Sequence, residues 1–163
     1  MVSVRIDGIQ KLQEKLEHLT LADMAPAIKQ ATAAVETQAK LLVPVDSGEL
    51  RRSIHPKVEQ SPEEIVGTVY TTKEYAAYVE FGTGRKGQGT YPHQVEGLTL
   101  EYRQTNWAYP DEKAREAGDE DAVIWTSGQV AQPYMYPALE ITKPYIKRLI
   151  AAQLNKELRK AGK

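Results

Sequence analysis

Apolar positions along this 163-residue chain fall into two kinds of spacing, one of strands and one of helices. Val2, Val4 and Ile6 alternate with polar residues and predict a short strand or arm. After Gly8, the residues Ile9, Leu12, Leu16 and Leu19 recur at helical spacing. A second helical run goes from about residue 25 to residue 42, with Ile28, Ala31, Ala34 or Val35, Ala39 and Leu42 as its apolar stripe. So many alanines let a partner element pack close. Asp23 is placed to cap this helix, and Pro26 suits a first turn because its missing N–H is not needed there. Pro44 ends it by disfavouring helical geometry at Val43.

Asp46-Ser47-Gly48 reads as a tight turn, with Gly48 free to take positive φ. Residues 50–58, interrupted near Pro56, and residues 65–71 predict a hairpin turning at Ser61-Pro62. Tyr75, Ala76, Tyr78 and Val79 give one short helical face, stopped by Phe81-Gly82. Val123-Ile124-Trp125 predicts a strand. Residues 137–160 are amphipathic, with Leu139, Tyr145 or Ile146, Leu149 or Ile150, Leu154 and Leu158 as the buried stripe. Pro144 puts the start of the regular part near itself, capped by Thr142.

Between these segments the character changes. Residues 85–122 hold several glycines and prolines and a charged run from Asp111 to Asp121, with a short exposed helix predicted over 111–117. A stretch this long without strong periodicity is commonly a functional loop. The expected organisation is one domain over 1–163, with a core of about 1–84 and 123–160 and a loop insertion of about 85–122. The expected fold class is α+β. N-terminal helices and a long C-terminal helix pack on one face of a mostly antiparallel sheet.

Composition narrows the function classes. Twenty-one basic residues balance 22 acidic ones, which removes a whole-chain electrostatic footprint for nucleic acid but leaves room for a local patch. There are no cysteines, hence no disulfides and no thiolate zinc site. No apolar run reaches the roughly 18–20 residues of a membrane span, and the first residues carry no signal-peptide apolar region.

Candidate chemistry is thin. Gly82-Thr83-Gly84-Arg85-Lys86-Gly87 matches G-x-G-x-x-G, but a helix-like segment precedes it and Thr90-Tyr91-Pro92 follows. A dinucleotide site needs a strand before and a helix after. The alternative is a mobile basic loop presenting Arg85 and Lys86. His18, His55 and His93 lie far apart, so no helical metal pair is predicted. Ser47 has no nearby histidine and no nucleophile elbow, so Asp46, Ser47 and Gly48, with Gly82 and Gly84, are assigned to turns. Glu80 beside Tyr75 and Tyr78 is read as an anchor for a neighbouring loop or subunit. Arg51 and Arg52 are either a solvated pair or face DNA or an acidic neighbour. Tyr134, Met135 and Tyr136 are either core residues or a subunit contact. No catalytic residue, metal ligand or cofactor is assigned.

Three blocks carry a resemblance. They are Pro44-Val45-Asp46-Ser47-Gly48-Glu49-Leu50-Arg51-Arg52-Ser53-Ile54, Tyr75-Ala76-Ala77-Tyr78-Val79-Glu80-Phe81-Gly82-Thr83-Gly84, and Pro133-Tyr134-Met135-Tyr136-Pro137-Ala138-Leu139. In this order the chain resembles the minor tail-component family of long-tailed bacteriophages, over roughly residues 1–84 and 125–160. The resemblance implies a virion structural protein, without catalytic residues or cofactor, that completes the tail or joins head to tail as copies of itself in a ring. It also implies host cytoplasm as the place of assembly, contact with head-connector and tail proteins, and transient contact with passing DNA. Arg51, Arg52, Glu80, Arg85, Lys86, Tyr134 and Tyr136 are then the candidate interface or DNA-facing residues. Two other classes stay open: a nucleic-acid-binding module using Arg51, Arg52, Arg85 and Lys86, and an enzyme of unrecognised type. The segment 85–122 is longer than the family pattern.

Overall fold

A computed structural model describes residues 20–95 and 97–160. The expected strand at Val2–Ile6 and the helix of Ile9 to Leu19 lie outside the described residues. In chain order the elements are α1 (Leu21–Leu42), α2 (Glu49–Arg52), β1 (Ile54–Gln60), β2 (Ile65–Thr71), α3 (Ala76–Phe81), α4 (Gly84–Gly87), β3 (Trp107–Pro110), α5 (Glu112–Glu116), β4 (Val123–Thr126), β5 (Gly128–Gln129) and α6 (Met135–Lys160). The class is α+β. Its strands form two separate two-stranded sheets, β1–β2 and β3–β4, rather than one sheet.

The described residues divide into two compact units, one of residues 20–38, 55–70 and 139–160, the other drawn from residues 39–54 and 71–138. In the first unit α1 and α6 run antiparallel. Gln153 donates to the Asp23 carbonyl at 2.7 Å, and Gln30 donates to the Tyr145 hydroxyl at 3.2 Å, so rising numbers on one helix meet falling numbers on the other. Ala27 and Ala31 are buried on α1, small enough for close approach. β1 and β2 are joined by only residues 61–64, a connection short enough to require an antiparallel hairpin. β2 also comes close to α1. A Cβ on Gly67 would collide with the Thr32 hydroxyl, which is itself fixed by donating to the Ile28 carbonyl at 2.8 Å.

Helix starts differ from expectation for identifiable reasons. α1 begins at Leu21, not near residue 25, and Thr20 rather than Asp23 stands at its cap. Asp23 reaches back instead, accepting the Thr20 N–H at 2.9 Å and hydroxyl at 2.7 Å. This is one half of a capping box, the acidic side chain reaching back to the cap N–H, while the Asp23 N–H donates to the Thr20 carbonyl at 3.1 Å rather than to its hydroxyl. The Thr20 hydroxyl holds the Asp23 carboxyl below its ordinary pKa. Pro26 consequently lies inside the helix. Residues 49–52, of which 50–52 were expected as strand, form the helical turn α2 because Gly48 takes φ 76° and the Arg52 N–H returns to its carbonyl at 3.0 Å. The strand then starts at Ile54 and passes Pro56 without a break. A proline is tolerated there because a two-stranded ribbon has only edge strands.

In the second unit, β3 and β4 pair antiparallel with Trp107 opposite Thr126, Ala108 opposite Trp125, Tyr109 opposite Ile124 and Pro110 opposite Val123. α5 lies between them, capped by Asp111, whose carboxylate accepts the Ala114 N–H at 3.2 Å. β3 was not expected, and it places a strand inside residues 85–122.

Candidate functional site

The largest departure from expectation sits at the start of α6, in the second unit. This helix begins at Met135, two residues before the predicted start, and runs through Pro144 to Lys160. Thr142 does not cap it; its hydroxyl donates to the Leu139 carbonyl at 3.1 Å within the helix. The cap is Glu80 instead. One carboxylate oxygen accepts the N–H groups of Tyr134 at 2.7 Å and Met135 at 2.9 Å, and the other accepts that of Tyr136 at 3.1 Å. A helix leaves four N–H positions without internal partners at its start. Here three belong to Tyr134, Met135 and Tyr136, and the fourth position is Pro137, which has no N–H. One carboxylate therefore satisfies the whole helix end, and its charge also complements the helix dipole. Glu80 is buried, as is the Tyr134 side chain.

Aromatic rings surround this junction. Phe81 meets Tyr91 edge-on at 5.0 Å, Tyr91 meets His93 at 5.4 Å, and His93 meets Tyr136 at 4.7 Å. Tyr91 and His93 come from residues 85–122, so that segment supplies packing here. Its Tyr102 hydroxyl also donates to the Phe81 carbonyl at 2.9 Å. Burial, and then the nearby Glu80 charge, push the phenols of Tyr91 and Tyr134 up to about 12. The Tyr91 hydroxyl is buried without a hydrogen-bond partner.

These groups carry a prediction. A phenol with a raised pKa contributes stability that is complete below its ordinary value of 10.0 and is lost as pH rises through about 12. The contribution of these two phenols to the denaturation midpoint should therefore be constant below pH 10 and fall between 10 and 12. The double variant Tyr91→Phe, Tyr134→Phe should lose most of that fall. Tyr91→Phe alone removes an unpartnered hydroxyl, so at neutral pH it should be neutral or stabilising by about 1 kcal/mol. Urea titrations across pH check both; an unchanged alkaline fall in the double variant contradicts the assignment.

The glycine run has a structural explanation. Thr83 and Gly84 bridge antiparallel to Gln129 and Gly128. Gly82 has φ 76° and Gly84 φ 59°, and Cβ atoms on Gly82, Gly84 and Gly87 would meet the backbone of residues 127–131. The Lys86 N–H donates to the Ser127 carbonyl at 3.2 Å, and Gln129 donates through its side chain to the Tyr78 carbonyl at 2.8 Å. Glycine is used for backbone-to-backbone approach here. Arg85 is exposed and donates to the Asn106 side chain at 2.8 Å, and Lys86 is exposed.

Two clefts lie in this unit, each of about 500 Å³. The first is lined by Tyr75, Tyr78, Val79, Gly82, Thr83, Gly84, Glu101, Arg103, Trp107 and Gln129, with the Arg103 guanidinium 5.3 Å from the Trp107 ring centre. The second is lined by Lys40, Val45, Ser47, Gly48, Arg51 and Arg52. There Arg52 donates to the Ser47 carbonyl at 3.3 Å, while Glu49 pairs with Lys73 at 2.7 Å. Asp46 and Ser47 sit in the exposed turn beside it. Of the candidate residues, the structure brings Glu80, Tyr134 and Tyr136 together at the helix cap and Arg51 and Arg52 together at the basic cleft. Trp107 and Arg103 were not singled out from sequence, although Trp107-Ala108-Tyr109 alternates as a strand does. Among the described residues, no group of three His, Asp or Glu side chains could hold a metal ion. No described helix is long and apolar enough to cross a membrane.

Residues 7–82 match the sequence model of the family described as "Bacteriophage HK97-gp10, putative tail-component". Over those residues, a little under half of the chain, the protein is similar to this phage tail-component family. Comparison with curated proteins and with solved structures gives no match.

Proposed function

We propose that this chain is a structural subunit that completes the phage tail or joins it to the head, working as copies of itself in a ring beside head-connector and tail proteins. The observation that carries this reading is the family match over residues 7–82, which takes in α1, the Asp46-Ser47-Gly48 turn, the β1–β2 hairpin and Glu80. The late Pro133–Leu139 block lies beyond the match, yet it is tied to it by the Glu80 cap. In this reading Glu80 and Tyr134 hold the subunit together, and Arg51, Arg52, Arg85 and Lys86 remain for contacts outside it, with neighbours or with passing DNA. No catalytic role is assigned to any of them.

The test is genetic and structural. A phage lacking the protein should yield separated heads and tails and lose nearly all infectivity, and a cryo-electron map of intact particles should hold a ring of this fold at the neck or tail end. Full infectivity without the protein, or a neck and tail without this fold, overturns the reading. Alone at micromolar concentration the protein should be mainly monomeric by light scattering, because weak contacts repeated around a ring add up only once a template sets the symmetry.

A further inference from the structure

We propose that the acidic arm of residues 107–126 in one copy docks on the basic cleft of Arg51 and Arg52 in a second copy. This inference rests on the ring reading above and deepens it by naming the contact between subunits.

The arm has two parts. Its stem is the β3–β4 ribbon, whose strands, among the described residues, pair only with each other. A two-stranded ribbon is at best marginal alone, yet this one leaves large apolar groups in solvent: Trp125 is 71% exposed, Val123 52% and Tyr109 46%. Cross-strand pairing puts Trp125 and Val123 on one face and Tyr109 on the other, so both faces carry exposed apolar groups, although Trp107 on the Tyr109 face packs on Arg103. The head of the arm, residues 111–121, holds six acidic residues against two basic ones, a net charge of −4.

The cleft offers the complement of both parts. Arg51 and Arg52 are exposed at its wall, and Glu49, the acidic residue beside them in sequence, is engaged with Lys73. Leu41, 68% exposed, and Val45, 58% exposed, add apolar surface at residues flanking the cleft's chain segments. An apolar stem with an acidic head thus finds apolar groups with a basic wall. Charge complementarity of this kind fixes register and suppresses wrong pairings.

Arm and cleft are different patches of the same compact unit. In a ring a contact between them is heterologous: each copy gives its arm to one neighbour and its cleft to another, whereas two copies exchanging arms reciprocally would stop at a dimer. Contacts of that type close into rings when the rotation allows. A two-fold dimer through either patch would instead set like charges together. The arm's charge also argues against DNA as its occupant, since the acidic head would repel phosphate.

The sequence has no cysteine, so engineered thiols report without background. Glu120→Cys and Arg51→Cys are made in separate full-length chains and in one chain, then oxidised at high protein concentration. The chain carrying both should give a ladder of dimers, trimers and higher species, the mixed single variants should give a dimer only, and each single variant alone should give little. Arg51→Glu with Arg52→Glu, introduced into the Glu120→Cys chain that also offers its own cleft thiol at Ser47→Cys, should cut the ladder about tenfold. Asp119→Lys with Asp121→Lys in the same chain should restore it. The interface is overturned by no ladder, by homodimers from the single variants, by a disulfide within one chain, or by a cleft thiol that is blocked only by DNA or another virion protein. Electron microscopy of assembled particles separates the two claims. Rings without the 51–120 cross-link overturn this contact and leave the ring; absence of both overturns both.

Discussion

Glu80→Ala should destabilise the protein by about 3–5 kcal/mol, because it strips a buried helix end of its only carboxylate and leaves three N–H groups without an acceptor. Native domains of this size have about 5–15 kcal/mol in total, so the variant should melt well below the parent. Glu80→Gln separates charge from shape. Its amide keeps one acceptor oxygen, but its NH2 group would point at N–H groups that need an acceptor, so roughly half of the loss should remain. Chemical denaturation of the three proteins measures this, and the first turn of α6 should lose protection from hydrogen exchange ahead of the rest. A loss under about 1 kcal/mol for Glu80→Ala would show that the helix end finds other partners, such as water, at little cost.

The same contact explains what sequence could and could not reveal. α1, β2 and α3 are announced by their own residues: the stripe of Ile28, Ala31 and Ala39, the β-branched residues of Ile65–Thr71, the Tyr75–Val79 face. The start of α6 does not follow local rules, because its cap is 54 residues away in the chain. No motif near Tyr134 signals it, and Pro144 suggests a later start. Glu80 was legible as an anchor, but the group it anchors was not. β1 was misplaced for a nearer reason. Gly48 in the left-handed region turns Glu49–Arg52 into helix, while Leu50, Arg51, Arg52 and Ser53 read as well as strand. The segment 85–122 read as loop because its order comes from separated contacts, Tyr91 on Phe81 and Tyr102 on the Phe81 carbonyl, rather than from a repeating stripe. As those contacts hold the junction, replacing the whole segment with a flexible linker removes packing from the second unit as well as a surface for partners. At the basic cleft, sequence showed the Arg51-Arg52 pair; Val45 and Lys40 join it only once the chain turns at Gly48.

The second large effect is expected at Gly128. Its φ is 107°, and an added Cβ would fall on the Thr83 carbonyl and 2.9 Å from the Gly84 Cα. The obstructing atoms are backbone, so no side chain can swing aside. The backbone itself is held in place, by the Lys86 N–H on the Ser127 carbonyl and by the Gln129 N–H on the Thr83 hydroxyl, both at 3.2 Å. Gly128→Ala must therefore pay for an unfavourable φ and also part β5 from Thr83-Gly84. Together these should cost on the order of 3–5 kcal/mol. Gly89 supplies the control. Its φ of 73° is also in the left-handed region, but a Cβ there meets nothing within 4 Å. Gly89→Ala should lose only the backbone term, about 1 kcal/mol. Urea denaturation of the two variants compares strain with and without close approach. Equal losses would mean that the Thr83–Gln129 clamp tolerates a side chain at Gly128 and contributes little. A gap of about 2 kcal/mol or more would assign Gly128 to the close approach of its backbone to Thr83-Gly84, a packing role for a segment that also matches the G-x-G-x-x-G pattern.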